Sequence, residues 1–172
     1  MPRPGKLRMP ELDRLWAPWR SAYHLKAKKG RACIFCAASK PSAKRDREQH
    51  VLSRGKYAFA MLNRYPYNNG HFMVAPKRHV GRLEALRPSE WLELLRLSRR
   101  IMARINTRLH PDGFNAGFNL GKTSGAGFPG HLHLHVVPRW NGDTNFMPVI
   151  GQTKVVSQWL DEVHDALRDG AR

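Results

Sequence analysis

Apolar and polar positions change rhythm several times along the chain, and each rhythm predicts a different element. Residues 1–31 are basic and mixed, with Leu15, Trp16, Trp19 and Tyr23 interleaved so that they would pack one face of a short helix onto the body. Residues 39–56 (SKPSAKRDREQHVLSRGK) are polar and highly charged and read as an exposed loop. Tyr57–Leu62 is a short apolar run of strand composition. Tyr65-Pro-Tyr-Asn-Asn-Gly70 reads as a turn, with Asn69-Gly70 a hairpin-type signal, and His71–Ala75 as the returning strand, stopped by Pro76. Beyond Pro88, with Ser89 as expected N-cap, Trp91, Leu94, Leu95, Ser98, Ile101, Met102, Ile105 and Leu109 recur at three- and four-residue steps. That spacing predicts one apolar helix face over about five turns, ended by Pro111-Asp-Gly113.

Phe114–Leu120 predicts a third strand, Gly121–Gly130 a glycine-rich loop, and His131–Val137 a fourth strand closed by Pro138. A last amphipathic segment, Val156–Leu167, is expected to bury Trp159, Leu160, Val163 and Leu167. No internal repeat or low-complexity tract interrupts this order. Antiparallel hairpins with two helices make an α+β domain.

Composition narrows the class. The 172 residues suit one domain, 41% apolar and 25% charged, with no apolar run long enough to cross a bilayer. Arg3, Lys6 and Arg8 have no apolar stretch behind them, which argues against a secretory signal and for a cytoplasmic protein. The net charge is +17, and residues 1–56 hold 15 of the 30 basic residues against 4 of the 13 acidic ones. Such an excess favours polyanions, although a solvated basic surface accounts for it equally well. A nucleic-acid partner is not favoured, because no recognisable nucleic-acid motif accompanies the charge. Cys33 and Cys36 are the only cysteines. In a cytoplasmic chain, Cys-x-x-Cys points to a metal site or a redox pair rather than a structural disulfide, and no βαβ pattern supports the redox reading.

The chemistry concentrates in His131-Leu-His133-Leu-His135-Val-Val137. Successive side chains in a strand point to opposite faces, so the three imidazoles share one face and Leu132, Leu134 and Val136 the other. The imidazoles are then roughly 6.5–7 Å apart. Packing alone explains three histidines on one face poorly, because imidazole is a weak hydrophobe but a good ligand, base or nucleophile near neutral pH.

This segment resembles the signature of the histidine triad family, His-φ-His-φ-His-φ-φ, at all seven positions. The run Asn63-Arg-Tyr-Pro-Tyr-Asn-Asn-Gly-His71 is similar to that family's nucleotide-holding strand–turn–strand. Leu15-Trp-Ala-Pro-Trp-Arg20 and Pro138-Arg-Trp-Asn-Gly-Asp-Thr-Asn-Phe146 resemble its bacterial diadenosine tetraphosphate phosphorylase branch. The resemblance implies a fold with an antiparallel sheet of about five strands, one long helix and a C-terminal helix, the sheet extended across a homodimer. It also implies a basic N-terminal extension over 1–32 and the family domain over 33–172.

The implied chemistry is attack on the α-phosphate of a purine nucleotide or dinucleoside polyphosphate, with water or inorganic phosphate as acceptor and a covalent nucleotidyl-histidine between the two steps. His133 would be the nucleophile, its other nitrogen held by a carbonyl near His131. His135 would contact the phosphate or leaving-group oxygen and help donate a proton, and His71 would buttress the cluster. Asn63 would bind the ribose, Met61 and Phe72 the base, and Asn119 and the loop around Gly127 the phosphates. Trp140 would serve the site or an oligomer contact. Some phosphorylase relatives carry a hydroxyl residue where this chain has Gly127, which leaves hydrolysis open beside phosphorolysis, with Lys122, Thr123 and Ser124 as substitutes. In the family's zinc-containing branch the metal ligands would be Cys33, Cys36, His79 and His131, with His50 a rival for His79. Two alternatives stand beside this chemistry: a nucleoside phosphoramidase, which would share the fold, and, from another class, a basic nucleic-acid-binding protein that removes 5′-adenylate from DNA ends.

Overall fold

A computed structural model describes residues 32–145 and 155–171. The expected short helix around Leu15, Trp16, Trp19 and Tyr23 lies outside them. The described elements run α1 (Ile34–Ser39), α2 (Ala43–Glu48), β1 (Val51–Arg54), β2 (Ala58–Leu62), β3 (Phe72–Pro76), α3 (Pro88–Leu109), β4 (Gly113–Phe118), β5 (Leu134–Arg139) and α4 (Leu160–Leu167). The strands form one antiparallel sheet in the order β1-β2-β3-β5-β4. The α+β class is the one that the apolar rhythm predicts; four of the strands are those it marks, and the fifth, β1, lies in the stretch it reads as a loop, so the count of about five is the one the family resemblance implies.

Every residue of β2 and β3 is buried, because both faces of the sheet are covered at its centre. On one face, α3 and α4 pack Leu94, Leu97, Ile101, Ile105, Val163 and Leu167 against Leu62, Phe72, Val74 and Val136. On the other, α1 brings Phe35 and Ala38 onto Val51, Phe59, Met61, Met73 and Ala75. The helix stripe differs from its expected course at one position. Leu95 is 57% exposed and Leu97 is buried instead. A 3.6-residue repeat through Leu94, Ile101 and Ile105 passes between 97 and 98 and leaves 95 on the solvent side.

Four further expectations are corrected. Residues 39–56 are not an exposed loop: they hold α2 and β1, and Val51, Leu52 and Ser53 are buried. Some of the charges there are paired: Arg54 donates to the carbonyls of Ala38 (2.7 Å) and Ser39 (3.2 Å) at the end of α1 and pairs with Asp46. Ser89 is not the N-cap of α3. Arg87 occupies that position, and its amide donates to Glu90 Oε2 at 2.8 Å, a carboxylate closing the first turn. Pro138 does not close the last strand, which runs to Arg139. The β5 pairing to β3 stops at Val136, so no rung of that ladder requires the amide that proline lacks. Trp159 is 79% exposed, because α4 begins only at Leu160 and Trp159 stands outside its buried side.

The β2–β3 connection is also wider than a two-residue hairpin. Asn63 N donates to His71 O at 2.9 Å across its neck, and His71 N to Asn68 O at 3.1 Å within it. Gly70 takes φ +70 at the third position of the inner turn, where a side chain would be strained.

Glu90 carries a pH prediction. Its carboxyl is 4% exposed and bonded by Arg78 Nη2 at 2.7 Å. That hydrogen bond is the main cause holding it below its ordinary 4.5, against the opposing effect of burial. A depressed carboxyl stabilises the fold above its unfolded-state value and loses that contribution as pH falls through the folded value. Acid unfolding of Glu90→Gln, followed by circular dichroism, is therefore expected to be flatter below about pH 4.5 than that of the native chain. Identical acid limbs would contradict this role.

Candidate functional site

The histidine face is assembled at the point where β5 emerges from the loop after β4. Leu132, Leu134 and Val136 enter the core beneath α3, so His131, His133 and His135 face the other way, towards Phe35. Only His135 lies inside β5. The other two are held by irregular bonds: His131 N to Phe128 O (3.1 Å) and Leu132 N to Val80 O (2.6 Å). His133 stacks on Phe35 with ring centres 4.5 Å apart and lies 4.8 Å from His135, ring to ring.

The hydrogen bonds assign the nitrogens. His133 Nδ1 lies 2.8 Å from the carbonyl oxygen of His131, which can only accept, so Nδ1 carries the proton and Nε2 the lone pair. His133 is 6% exposed, and burial, which favours the neutral ring, pushes its pKa down against the opposing effect of that bond. His71 is wholly buried, and burial, then the charges of His135 and His133, push it down to about 3. Tyr67 N donates to His71 Nδ1 at 3.0 Å, which leaves the His71 proton on Nε2, 3.0 Å from His135 Nδ1. Asn119 lies 3.4 Å from His135 Nε2 through its amide.

A second cluster adjoins the first. Cys33, Cys36, His79 and His131 bring one ligand atom each within 4.8 Å of one another. Cys33 Sγ is 3.3 Å and Cys36 Sγ 3.6 Å from His131 Nδ1, and Cys36 Sγ is 3.2 Å from His79 Nδ1. A tetrahedral zinc ion with ordinary Zn–S and Zn–N bonds sets such sulfur–nitrogen edges at about 3.5 Å, so the donor set fits the metal. His131 Nε2 donates to Pro76 O at 2.9 Å, turning the lone pair of Nδ1 towards the thiols. Burial and then Cys33 push the Cys36 thiol up, a penalty on the thiolate that a bound cation relieves. Gly81 permits the approach of the two histidine segments: a Cβ there would lie 3.0 Å from Pro129 O. His50 is not part of the cluster; its Nε2 lies 3.0 Å from Asp161 Oδ1, and its ring meets His164.

The remaining expected residues divide. Met61 lies on the histidine side of the sheet with Phe35 and Met73. Phe72 does not: it is fully buried on the opposite face beneath α3, because it neighbours His71 in the chain and adjacent side chains diverge. Phe72 therefore cannot line a base slot on the histidine side. Asn63 Oδ1 accepts from Tyr65 N at 3.0 Å, and its Nδ2 faces His71 Nδ1 at 3.4 Å. Trp140 Nε1 donates to the carbonyls of Leu109 and His110 at the end of α3, both at 3.1 Å. Gly127 lies in the loop leading to His131, where Ser124 Oγ turns back to Gly121 O at 2.9 Å. Sequence reasoning missed Phe35, whose only local signal is its place inside the Cys-x-x-Cys.

The family profile of the HIT domain matches residues 44–142, which include every member of the histidine cluster. The chain belongs to the histidine triad family. This histidine triad protein is 41% identical over 162 residues to the "AP-4-A phosphorylase" of Mycobacterium tuberculosis, covering 91% of this chain and 83% of that one. It is 34% identical over 93 residues to the "Bis(5'-nucleosyl)-tetraphosphatase [asymmetrical]" of Schizosaccharomyces pombe, covering 54% of this chain and 50% of that one. Among solved structures, a "ZN-bound histidine triad family protein" from Mycobacterium smegmatis superposes with TM-score 0.63 at 28% identity, covering 80% of this chain and 91% of that one. Among the described residues, no helix of the histidine triad protein is long and apolar enough to cross a membrane.

Proposed function

We propose that this histidine triad protein cleaves dinucleoside polyphosphates of the diadenosine tetraphosphate type by nucleotidyl transfer through His133. The observation that carries the reading is the orientation of that ring. With Nδ1–H held by His131 O, Nε2 is the nucleophilic nitrogen, and His135 and His71 stand beside it. Attack by Nε2 on the α-phosphorus forms a P–N bond as the P–O bond to the remaining polyphosphate breaks, and the electron pair leaves with that oxygen. The His135 Nε2–H steadies the charge developing there. Water or inorganic phosphate then takes the nucleotidyl group from His133, which splits one hard displacement into two easier ones. Asn63, Asn119, Met61 and the backbone around Gly127 are the groups assigned to ribose, phosphate and base.

Cys33, Cys36, His79 and His131 would hold zinc, which when bound cross-links three segments and steadies the strand carrying His133. The reading includes a basic extension over 1–32 ahead of the domain. It also includes a homodimer through β4, the last strand in the sheet order. Light scattering at the mass of a single chain would remove the dimer.

The test is incubation with diadenosine tetraphosphate, with and without inorganic phosphate, and separation of the products. ADP plus ATP only when phosphate is present makes the protein a phosphorylase. AMP plus ATP without phosphate makes it a hydrolase, in keeping with the missing hydroxyl at Gly127. No turnover under either condition sinks the dinucleotide reading and brings phosphoramidates and adenylated nucleic-acid ends forward.

A further inference from the structure

We propose that Asn68, held by Asp143, is a positioning residue that decides which nitrogen of His135 carries its proton. The side-chain hydrogen bonds of Asn68 go to Pro138 and Asp143 and not to a histidine ring. Asn68 is 7% exposed, and its Nδ2 donates to Pro138 O at 3.1 Å and Asp143 Oδ2 at 2.8 Å. Asp143 is itself clamped, its side chain 6% exposed, with Arg139 Nε on Oδ2 at 2.5 Å and Arg139 Nη2 on Oδ1 at 3.0 Å. Pro138 lies three residues beyond His135 on the same strand, past the last β3–β5 rung at Phe72 and Val136. The Asn68 side chain therefore takes over where the ladder stops and ties the wide β2–β3 loop to the strand that carries His135.

The tie acts on the neighbouring residue. Asn68 is pinned through its side chain to β5 and through its carbonyl to His71 N. The amide of Tyr67, one residue before it, is thereby aimed at His71 Nδ1. A backbone amide can only donate. A neutral His71 must then protonate at Nε2, which donates to His135 Nδ1, and a neutral His135 must protonate at Nε2. One amide so settles two tautomers, and the Asn119 amide, 3.4 Å from His135 Nε2, must then turn its oxygen rather than its Nδ2 to that N–H. The ring that faces the reacting phosphate presents an N–H rather than a lone pair, and an N–H is what a leaving oxygen gaining charge requires. Asn63 Nδ2 is a weaker second donor to His71 Nδ1, at 3.4 Å. Loss of Asn68 is therefore expected to give a mixture of tautomers rather than a complete inversion.

The test has two arms, and only the kinetic one rests on the proposed nucleotidyl transfer. In the full chain labelled with 15N-histidine, long-range 15N–1H correlation spectra distinguish protonated from bare ring nitrogens. The native chain is expected to show Nε2–H for both His71 and His135. Asn68→Ala, and Asn68→Asp, which keeps the shape but loses the donor, are expected to add Nδ1–H to His135. Nδ1–H on His135 in the native chain, or unchanged tautomers in folded variants, would overturn the proposal.

In the kinetic arm, Asn68→Ala is expected to lower kcat on diadenosine tetraphosphate about tenfold. The first-turnover release of p-nitrophenol from its AMP ester should fall by less than about threefold, because p-nitrophenolate stabilises its own charge. Equal losses on both substrates would mean a merely structural residue and would also overturn it. Failure of the native chain to turn over any nucleotide would sink the proposed function while leaving the tautomer result to stand or fall alone.

Discussion

Exchange of His133 for alanine or asparagine is expected to reduce diadenosine tetraphosphate turnover by at least about a thousandfold. Among the described residues, no other member of the histidine cluster can take its place. His131 turns both of its nitrogens to other tasks, Nε2 to Pro76 O and Nδ1 to the thiols. His71 is fully buried behind His135. His135 Nδ1 is engaged by His71, and its Nε2 carries the proton in the arrangement described above. The bonds that hold the segment, from Leu132 N to Val80 O and His131 N to Phe128 O, involve only backbone, so the variants should retain the fold. His133→Asn keeps most of the volume that stacks on Phe35 and is the cleaner of the two. Rates should be read with folding checked by circular dichroism, and the native chain quenched in mid-reaction should carry one added nucleotidyl mass on the peptide containing His133. A loss smaller than about tenfold would refute His133 as the nucleophile.

The second large effect is on stability. Metal analysis of protein purified under reducing conditions is expected to find zinc equimolar with the chain, and its removal by a chelator to lower Tm by about 5–10 °C. Cys36→Ser is expected to reproduce that shift without chelator. The four donors come from three stretches, at α1, at 76–81 and at 128–133, and Cys33 and Cys36 stand 98 and 95 positions before His131. Without a cation, the sulfur–nitrogen edges of the group are weak contacts, and the firmer bonds there, from His131 to Pro76 O and Phe128 O, do not hold the cysteines. Small, closed donor sets of this kind bind zinc as part of folding. Activity should fall along with Tm, because the His131 carbonyl orients His133. Protein that is metal-free as purified, with a Tm indifferent to chelator and to added zinc, would refute the site.

Much of this was legible in local sequence, for a definite reason. A strand alternates its faces every residue, so His-Leu-His-Leu-His specifies one apolar and one imidazole face without reference to the rest of the chain. The same rule places Phe72 opposite His71, so its exclusion from the histidine side could have been read from adjacency alone. The α3 stripe and four of the five strands are local periodicities of the same kind, β1 being hidden in the charged stretch 39–56, and within the stripe Leu95 and Leu97 exchange places. The sequence by itself therefore determined the class of fold, the imidazole face and the pairing of Cys33 with Cys36 as neighbouring thiols. What it could not determine are the partners a side chain meets from a distant stretch. Whether His79 or His50 completes the cysteine pair, whether the charges of 39–56 are solvated or paired, and whether Trp159 is inside or outside depend on chain crossings that no short-range pattern encodes. The tautomers of His71 and His135 belong with them. They follow from one amide at Tyr67, aimed by a side-chain bond between residues 68 and 143, and such a bond exists only once the sheet has brought those stretches together.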